Sequence, residues 1–185
     1  MARVISTSGS AADARHTPER VLAIDPALRK TGWAVVENSG GQLRALAWGV
    51  IHNPPALLPS GCLVAIRERL AEVIRNHTPD VCAIESTIYV QSHKTAIVLG
   101  AARGACLVAA AEHGLPIYEY APREIKQAAV GRGAASKEQV AFMIRAQLRL
   151  RETPEADAAD ALAAAITHFQ SSAAARATER EARRV

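Results

Sequence analysis

The segment Arg20-Val21-Leu22-Ala23-Ile24-Asp25 decides the fold of this chain. Four consecutive apolar residues, followed by an acid and then by Pro26, predict a short buried strand that ends in a turn. The acid at the end of that strand abuts residues that favour burial, where an isolated charge is costly. Taken alone, Asp25 has an ordinary explanation, since an Asp before a proline is a common way to open a turn.

A second segment, Val81-Cys82-Ala83-Ile84-Glu85, repeats this pattern. Its continuous apolar run is expected for a parallel strand that is buried on both faces. If the two strands are neighbours, Asp25 and Glu85 reach the same spot at the end of the sheet. Asp157 and Asp160 stand three residues apart near the start of the last predicted helix, so they share one of its faces. Taken alone, that pair has an ordinary explanation, because acids in a first turn stabilise the helix dipole.

Four acids gathered at one place would repel one another by about 4 kcal/mol per pair at ~4 Å and an effective dielectric constant of ~20. Divalent cations relieve this repulsion, and hard oxygen ligands favour magnesium or manganese. Two such ions activate water and stabilise the leaving oxygen in phosphodiester hydrolysis. The sequence therefore predicts a hydrolytic metal centre that consists of Asp25, Glu85, Asp157 and Asp160.

Apolar spacing and turn residues predict the element order βββαβαβααα along the chain. Predicted strands cover residues 20–25, 33–37, 43–51, 81–85 and 117–120, and predicted helices cover residues 60–76, 95–113, 122–130, 136–150 and 154–171. Ser60, Ser136 and Thr153 are the expected helix caps. The order predicts an α/β fold: a ribonuclease H-like five-stranded mixed sheet, with three antiparallel and then parallel strands and helices on both faces.

Length and composition fit one domain with a real core, because 49% of the 185 residues are hydrophobic. Residues 1–19 are expected to form a flexible N-terminal arm, residues 20–171 the ribonuclease H-like nuclease domain, and residues 172–185 a polar, arginine-bearing tail. The three cysteines show no metal-type spacing and fit buried thiols in a reducing cytoplasm. No stretch is expected to span a bilayer, and residues 1–20 lack the apolar region of a secretory signal.

The net charge of +4 is unevenly distributed. Residues 1–20 contribute +1 and residues 171–185 contribute +2, so the body of the chain carries only +1. Basicity of this size is weak evidence for a nucleic-acid partner. It becomes stronger if metal ions neutralise the four acids, because the remaining surface is then distinctly positive.

Six collinear stretches, which together cover about residues 21–169, carry a family resemblance. They are Ala23-Ile24-Asp25-Pro26 with Thr31-Gly32, Ala83-Ile84-Glu85, Leu99-Gly100-Ala101-Ala102-Arg103-Gly104, Tyr118-Glu119-Tyr120-Ala121, Lys126-Gln127 with Val130-Gly131, and Ala156-Asp157-Ala158-Ala159-Asp160-Ala161-Leu162-Ala163. In these stretches the chain resembles the RuvC-type Holliday-junction resolvases. The set is highly specific, whereas Asp25-Pro26 alone would not be.

The resemblance implies a homodimeric endonuclease that nicks two strands of a four-way DNA junction symmetrically. It implies a Mg²⁺ cofactor, replaceable by Mn²⁺, with one or two ions per subunit held by the four acids named above. It also implies dimerisation through the Gly100/Gly104 helix, DNA contacts by Lys126 and Lys137, and a branch-migration motor as partner. No membrane partner is expected, and the implied location is the bacterial cytoplasm, in association with the nucleoid.

One loop departs from the family pattern. The family typically has an aromatic residue three positions after the strand-four glutamate, where it inserts at the junction centre, and this chain has Ile88 there with Tyr89 next to it. Either side chain is a candidate wedge, since an isoleucine can separate bases and a tyrosine can also stack on them. Arg123 and Arg132 are weaker candidates for DNA contacts, and both are also ordinary surface charges.

Two other function classes compete with the resolvase hypothesis. One is a non-catalytic or relaxed-specificity branched-DNA binding protein or nuclease on the same fold, and a pure binder gains nothing from four intact acids. An actin-like ATPase also opens on a strand that carries an acid and a glycine-containing turn. That class fails on chain length and on the absence of a second glycine-rich phosphate loop.

Overall fold

The computed structural model describes residues 18–86, 92–131, 136–170 and 185. The described residues form five strands and five helices in the predicted order. The strands are β1 (Glu19–Asp25), β2 (Lys30–Ser39), β3 (Gln42–His52), β4 (Val81–Glu85) and β5 (Ile117–Tyr120). The helices are α1 (Pro59–His77), α2 (His93–Glu112), α3 (Pro122–Val130), α4 (Lys137–Gln147) and α5 (Ala156–Gln170).

The five strands make one mixed sheet in the order β3-β2-β1-β4-β5. β1 lies at its centre, antiparallel to β2 and parallel to β4, and β4 is parallel to β5. The tight hairpin between β2 and β3 rests on Gly40 and Gly41, whose positive φ angles of 58° and 88° suit glycine. The predicted ribonuclease H-like sheet is confirmed.

The alternation of side chains along the central strands separates two cores. Val21 and Ala23 of β1 face the side covered by α3, α4 and α5, and Leu22 and Ile24 face the side covered by α1 and α2. All four side chains are fully buried. Burial of each Leu or Ile side chain stabilises the fold by about 1.5–3 kcal/mol. The alanines of α5 leave room for close approach, so this helix packs directly across β1, β2 and β4.

Three local predictions are wrong. Ser60 does not cap α1, because the helix already begins at Pro59, a residue that suits a first turn since its missing N–H needs no partner there. α5 begins at Ala156 rather than at residue 154. The strand pattern around Trp48 predicts a core position, but its side chain is 38% exposed because it lies on β3, an edge strand. By contrast, Ser136 does form the predicted capping box with Gln139.

α2 is the least buried long helix of the described chain. In length and composition it could cross a membrane, so the expectation that no segment qualifies is wrong on that measure. One such helix is weak evidence for a span. Two ion pairs tie it to the domain: Arg103 to Glu119 of β5 at 2.6 Å, and Glu112 to Arg67 of α1 at 3.0 Å.

Residues 1–17 and 171–184 lie outside the described part of the chain. The predictions of a flexible arm at residues 1–19 and of a polar tail at residues 172–185 fall largely on them and stay predictions. The three cysteines lie within the described part of the chain, and all are buried thiols, as expected.

Candidate active site

Two acids end the central parallel strands side by side. Ile24 of β1 pairs with Ile84 of β4, and Asp25 and Glu85 follow them directly. Both acids point to the α5 side of the sheet, because each stands two residues after an alanine that packs there. The turn after Asp25 is held in place by Thr31, whose hydroxyl donates to the Ala27 carbonyl.

The first turn of α5 lies directly on the sheet next to these acids. Gly32 of β2 pairs with Asp25. A Cβ atom added to Gly32 would come within 1.9 Å of the Asp157 carbonyl oxygen. Only a residue without a side chain permits this approach of helix to strand. The contact brings Asp157, and Asp160 one turn later, over the ends of β1 and β4.

Burial and mutual repulsion favour the protonated forms of the acids. Burial, reinforced by the charges of Glu85, Asp160 and Asp157, raises the pKa of Asp25 to about 8. Burial, followed by the charge of Asp160, raises the pKa of Glu85 to about 7. Burial also raises the pKa of Asp160. The charges of Glu85, Asp157 and Asp160 all act on Asp25, so these four acids form one anionic cluster, which we call the acid cluster.

Two lysines face the acid cluster. The Lys137 ammonium lies 3.2 Å from Oδ2 of Asp160, and the charge of that acid raises the pKa of Lys137. The positive charge of Lys126 opposes the upward pKa shifts of Glu85 and Asp160. Lys137 begins α4 and Lys126 lies in α3, so two of the three helices on this face of the sheet supply a cation.

The side-chain positions do not form a closed metal site. Among the described residues, no group of three His, Cys, Asp or Glu side chains is close enough to hold one ion. The chemistry of the donor set nevertheless fits a divalent cation, because four acids share a partly buried location and the cations of the described chain that act on them are Lys126 and Lys137. Carboxylate oxygens are the ligands that Mg²⁺ and Mn²⁺ prefer. The residues present therefore fit a metal ion once their side chains close around it.

The described part of the chain does not link the remaining sequence-predicted residues to the acid cluster. Ile88, Tyr89 and Arg132 lie outside the described residues. Arg123 is exposed near the start of α3 and makes no ion pair with any acid of the described chain. The roles of these four residues stay predictions.

Sequence reasoning missed two features that shape the site. Gly32 belongs to the Thr31-Gly32 pair of the family resemblance, but nothing in one sequence reveals that a helix lies against it. Tyr120 pairs with Glu85 in the sheet, and its hydroxyl is hydrogen-bonded to Nδ1 of the buried His168 at 2.8 Å. His168 lies on the last helix, and nothing in the sequence pattern of that helix names Tyr120 as its partner.

The raised pKa values predict that the metal-free fold loses stability as the pH rises. Asp25 has its ordinary pKa of 3.8 when unfolded and about 8 when folded, so the folded state holds more protons in that interval. Its stabilising contribution is complete below pH 4 and is lost as the pH rises through 8. We expect the melting temperature in EDTA to fall from pH 5 to pH 9, and Mg²⁺ to raise it most at alkaline pH.

Thermal melts of the wild type and of Asp25→Asn test this expectation. The variant carries no titrating group at position 25, so its melting temperature should vary less with pH. Equal slopes for the two proteins between pH 5 and pH 8 would show that Asp25 is not a buried acid with a raised pKa.

Comparisons with known proteins agree on one family. A family model described as "Crossover junction endodeoxyribonuclease RuvC" matches residues 21–168. A protein of that name from Akkermansia muciniphila is 57% identical over 150 residues, which are 81% of this chain and 90% of the relative. The protein of the same name from Bradyrhizobium diazoefficiens is 44% identical over 151 residues, which are 82% of this chain and 86% of the relative.

A solved structure of the same family also aligns with this chain. The structure titled "T. thermophilus RuvC in complex with Holliday junction substrate" aligns with a TM-score of 0.79 and 34% identity, and the alignment covers 90% of this chain and 99% of that one. The residues that the family model matches include the acid-bearing ends of β1 and β4 and α5 up to His168. The chain therefore belongs to the RuvC family of crossover junction endodeoxyribonucleases.

Proposed function

We propose that this protein is a structure-selective endodeoxyribonuclease that resolves four-way DNA junctions during recombination and repair. The observation that carries the proposal is the acid cluster, gathered at the ends of two neighbouring strands in a chain of this family. A structural protein has no use for acids whose pKa values rise through burial and mutual repulsion. An enzyme that hydrolyses a phosphodiester bond does use such acids, because the reaction needs cations beside the scissile phosphate and carboxylates bind them.

Mg²⁺, for which Mn²⁺ substitutes, is the proposed cofactor, with one or two ions per subunit. Asp25, Glu85, Asp157 and Asp160 would hold it, and the bound metal would supply a nucleophilic water and stabilise the leaving oxygen. The chain itself contributes the rest. The sheet and the first turn of α5 hold the acids together, and burial keeps competing water away from them.

Lys126 and Lys137 are proposed to bind DNA phosphates next to the acid cluster. Their ammonium groups attract the DNA backbone to an otherwise anionic pocket. We expect Lys126→Ala to weaken junction binding and to reduce the slope of log K against log [salt] by about 0.9, one phosphate contact. Anisotropy titrations at several salt concentrations measure this slope.

Lys137→Ala should lower the slope in the same way and should also release Asp160 from its ion pair. Arg75→Ala is a matched control, since this exposed cation lies on α1, on the opposite face of the sheet. If both lysine variants kept the wild-type salt slope, neither lysine would belong to the DNA interface.

Four further residues have proposed DNA contacts that rest on sequence. Ile88 or Tyr89 is the proposed wedge at the junction centre, and Arg123 and Arg132 are proposed to contact phosphates. Ile88 and Tyr89 stand three and four residues after Glu85 in sequence, and a wedge so near along the chain would lie close to the scissile phosphate.

We propose a homodimer that forms through α2, because symmetric nicking of two strands needs two active sites. The helix exposes a row of apolar side chains, with Ile97 at 73%, Val108 at 46% and Val98 at 37% exposure. Beside them, Gly100 and Gly104 have no described atom within 4 Å of an added Cβ, so a second backbone can approach closely. Burial of such a face is the usual source of dimer stability.

The dimer proposal predicts the mass in solution. At micromolar concentration the wild type should be a dimer by light scattering, and Ile97→Asp should shift it to monomer, because an unpaired charge at the centre of the interface is costly. Phe142→Asp is the control, since this equally exposed side chain lies on the opposite face of the sheet. A wild type that stays monomeric with and without junction DNA would contradict the proposal.

A branch-migration motor is the proposed protein partner, and the bacterial cytoplasm, in association with the nucleoid, the proposed location. Both rest on the family to which the chain belongs. A cell-free assay that couples branch migration to cleavage tests the first: resolution should be faster when the motor is present than when it is absent.

A non-catalytic branched-DNA binding protein is the second candidate. One observation favours it: no three described acids are close enough for a common ion, and Lys137 already neutralises Asp160. Incubation of the protein with a synthetic four-way junction and Mg²⁺ or Mn²⁺ decides between the two. We expect paired, symmetric nicks; intact junction would favour the binder, and scattered nicks a nuclease of relaxed specificity.

A further inference from the structure

The outer face of α4 carries an aromatic side chain that the domain does not cover. Phe142 is 65% exposed, whereas its neighbours Val140, Ala141 and Ile144 are buried. Two grooves flank the ring. One has a volume of about 480 Å³ and is lined by Val130, Glu138, Gln139, Phe142 and Met143; the other has a volume of about 260 Å³ and is lined by Phe142, Arg145, Ala146, Arg149 and Leu150.

The end of α4 shows an unusual choice of residue. Arg149 has a φ angle of +53°, the left-handed region, immediately after the helix ends. The Leu150 N–H donates to the Arg145 carbonyl and the Arg149 N–H to the Ala146 carbonyl, a Schellman motif in which glycine is the usual residue. An arginine there is strained. Backbone strain of this kind clusters at functional sites.

The second groove has an unbalanced positive charge. Arg145 and Arg149 line it, and neither forms an ion pair with an acid in the described chain. The one described hydrogen bond of the Arg145 guanidinium, to the Thr153 hydroxyl at 3.5 Å, is long. Two cations beside an exposed ring and an apolar groove are complementary to a partner that offers carboxylates next to an apolar side chain.

We propose that this face of α4 is a docking surface for an acidic amphipathic segment of a partner protein. Apolar side chains of that segment fill the grooves on either side of Phe142, and its carboxylates pair with Arg145 and Arg149. DNA is a poorer occupant, because a phosphate backbone offers nothing to bury in the two grooves. Arg145 lies eight residues beyond Lys137 on α4, roughly 12 Å along the helix, and Arg149 lies beyond the end of that helix.

Selection from a phage-displayed library of random 16-residue peptides tests the proposal. The full-length wild type is the bait, and the Phe142→Ser chain removes peptides that bind elsewhere. We expect enriched peptides to combine an apolar residue with at least two acids. Fluorescent synthetic copies should bind the wild type and lose affinity at least tenfold with Phe142→Ser and Arg145→Glu, but keep it with Arg75→Glu on α1.

Arg149→Gly separates binding from folding. Glycine relieves the left-handed strain, so the melting temperature should rise by about 3 °C. Peptide affinity should nevertheless fall at least threefold. If instead affinity were unchanged in Arg149→Gly, or if the library gave no peptides specific for the wild type, the proposal would be overturned.

Junction cleavage by the same variants distinguishes this surface from the active site. Phe142→Ser and Arg145→Glu should bind and cut a four-way junction as the wild type does. A loss of junction affinity in Arg145→Glu comparable to that of Lys126→Ala would assign the face to DNA and would overturn the docking proposal.

Discussion

Asp25→Asn is expected to abolish junction cleavage while junction binding stays within about threefold of wild type. Asp25 lies at the centre of the acid cluster, where Glu85, Asp157 and Asp160 all act on its charge. The amide keeps the shape of the side chain but removes the charge that would hold a cation. Loss of several kcal/mol of transition-state stabilisation corresponds to a rate decrease on the order of 10³-fold or more.

Single-turnover cleavage of a labelled junction measures this effect, with binding followed separately in Ca²⁺. Asp80→Asn is the matched control. Asp80 is an exposed acid directly before β4, at the opposite end from Glu85, and it accepts a hydrogen bond from the Arg20 N–H at 2.7 Å. Its variant should cut normally. Normal cutting by Asp25→Asn would remove that residue from the metal centre.

Asp25→Asn has a second expected effect, in the opposite direction, on stability. Because burial and like charges raise the pKa of Asp25 to about 8, the metal-free wild type carries an unfavourable charge at alkaline pH. The neutral amide avoids it. At pH 9 in EDTA the variant should therefore melt at a higher temperature than the wild type. Higher stability together with lost activity is the pattern of a site strained for function.

Gly32→Ala is expected to lower both stability and cleavage, although it removes no chemical group. The new methyl would overlap the Asp157 carbonyl, which is backbone and cannot rotate away. α5 would have to move off β2 and take Asp157 and Asp160 with it. We expect a loss of about 3 kcal/mol in the free energy of unfolding and at least about a 100-fold decrease in cleavage rate.

Gly49→Ala is the control for this substitution. Gly49 lies on β3, and an added Cβ there would meet the Trp33 ring at 3.3 Å, a side chain that can shift. Urea denaturation should therefore show a much smaller loss for Gly49→Ala than for Gly32→Ala. Equal losses, or full activity of Gly32→Ala, would show that the contact of α5 with β2 does not position the acids.

The sequence predicts the strands and helices that carry this site well, because each of them depends on a pattern of neighbouring residues. Runs of apolar residues such as those before Asp25 and Glu85 have one favourable environment, the interior of a covered sheet, and each run ends where its acid begins. Ser136 and Gln139 predict a helix start for the same reason, since both partners of the capping box lie within one turn.

The parts that escaped prediction depend on contacts between distant segments. Gly32 and Asp157 are 125 positions apart, and no pattern near either shows that their backbones touch. Trp48 has a large aromatic side chain of the kind that favours the core, and it is partly exposed because β3 lies at the edge of the sheet. The ion pair between Lys137 and Asp160 likewise arises from the packing of α4 against α5.

Anomalous diffraction from crystals of the full chain grown with MnCl₂ tests the central claim most directly. That claim is that four acids from two strands and one helix bind one metal centre. The predicted result is manganese density coordinated by Asp25 together with carboxylates of Glu85, Asp157 or Asp160, and its absence from Asp25→Asn crystals. Manganese bound only elsewhere, with the carboxylate of Asp25 free of metal in the wild type, would contradict it.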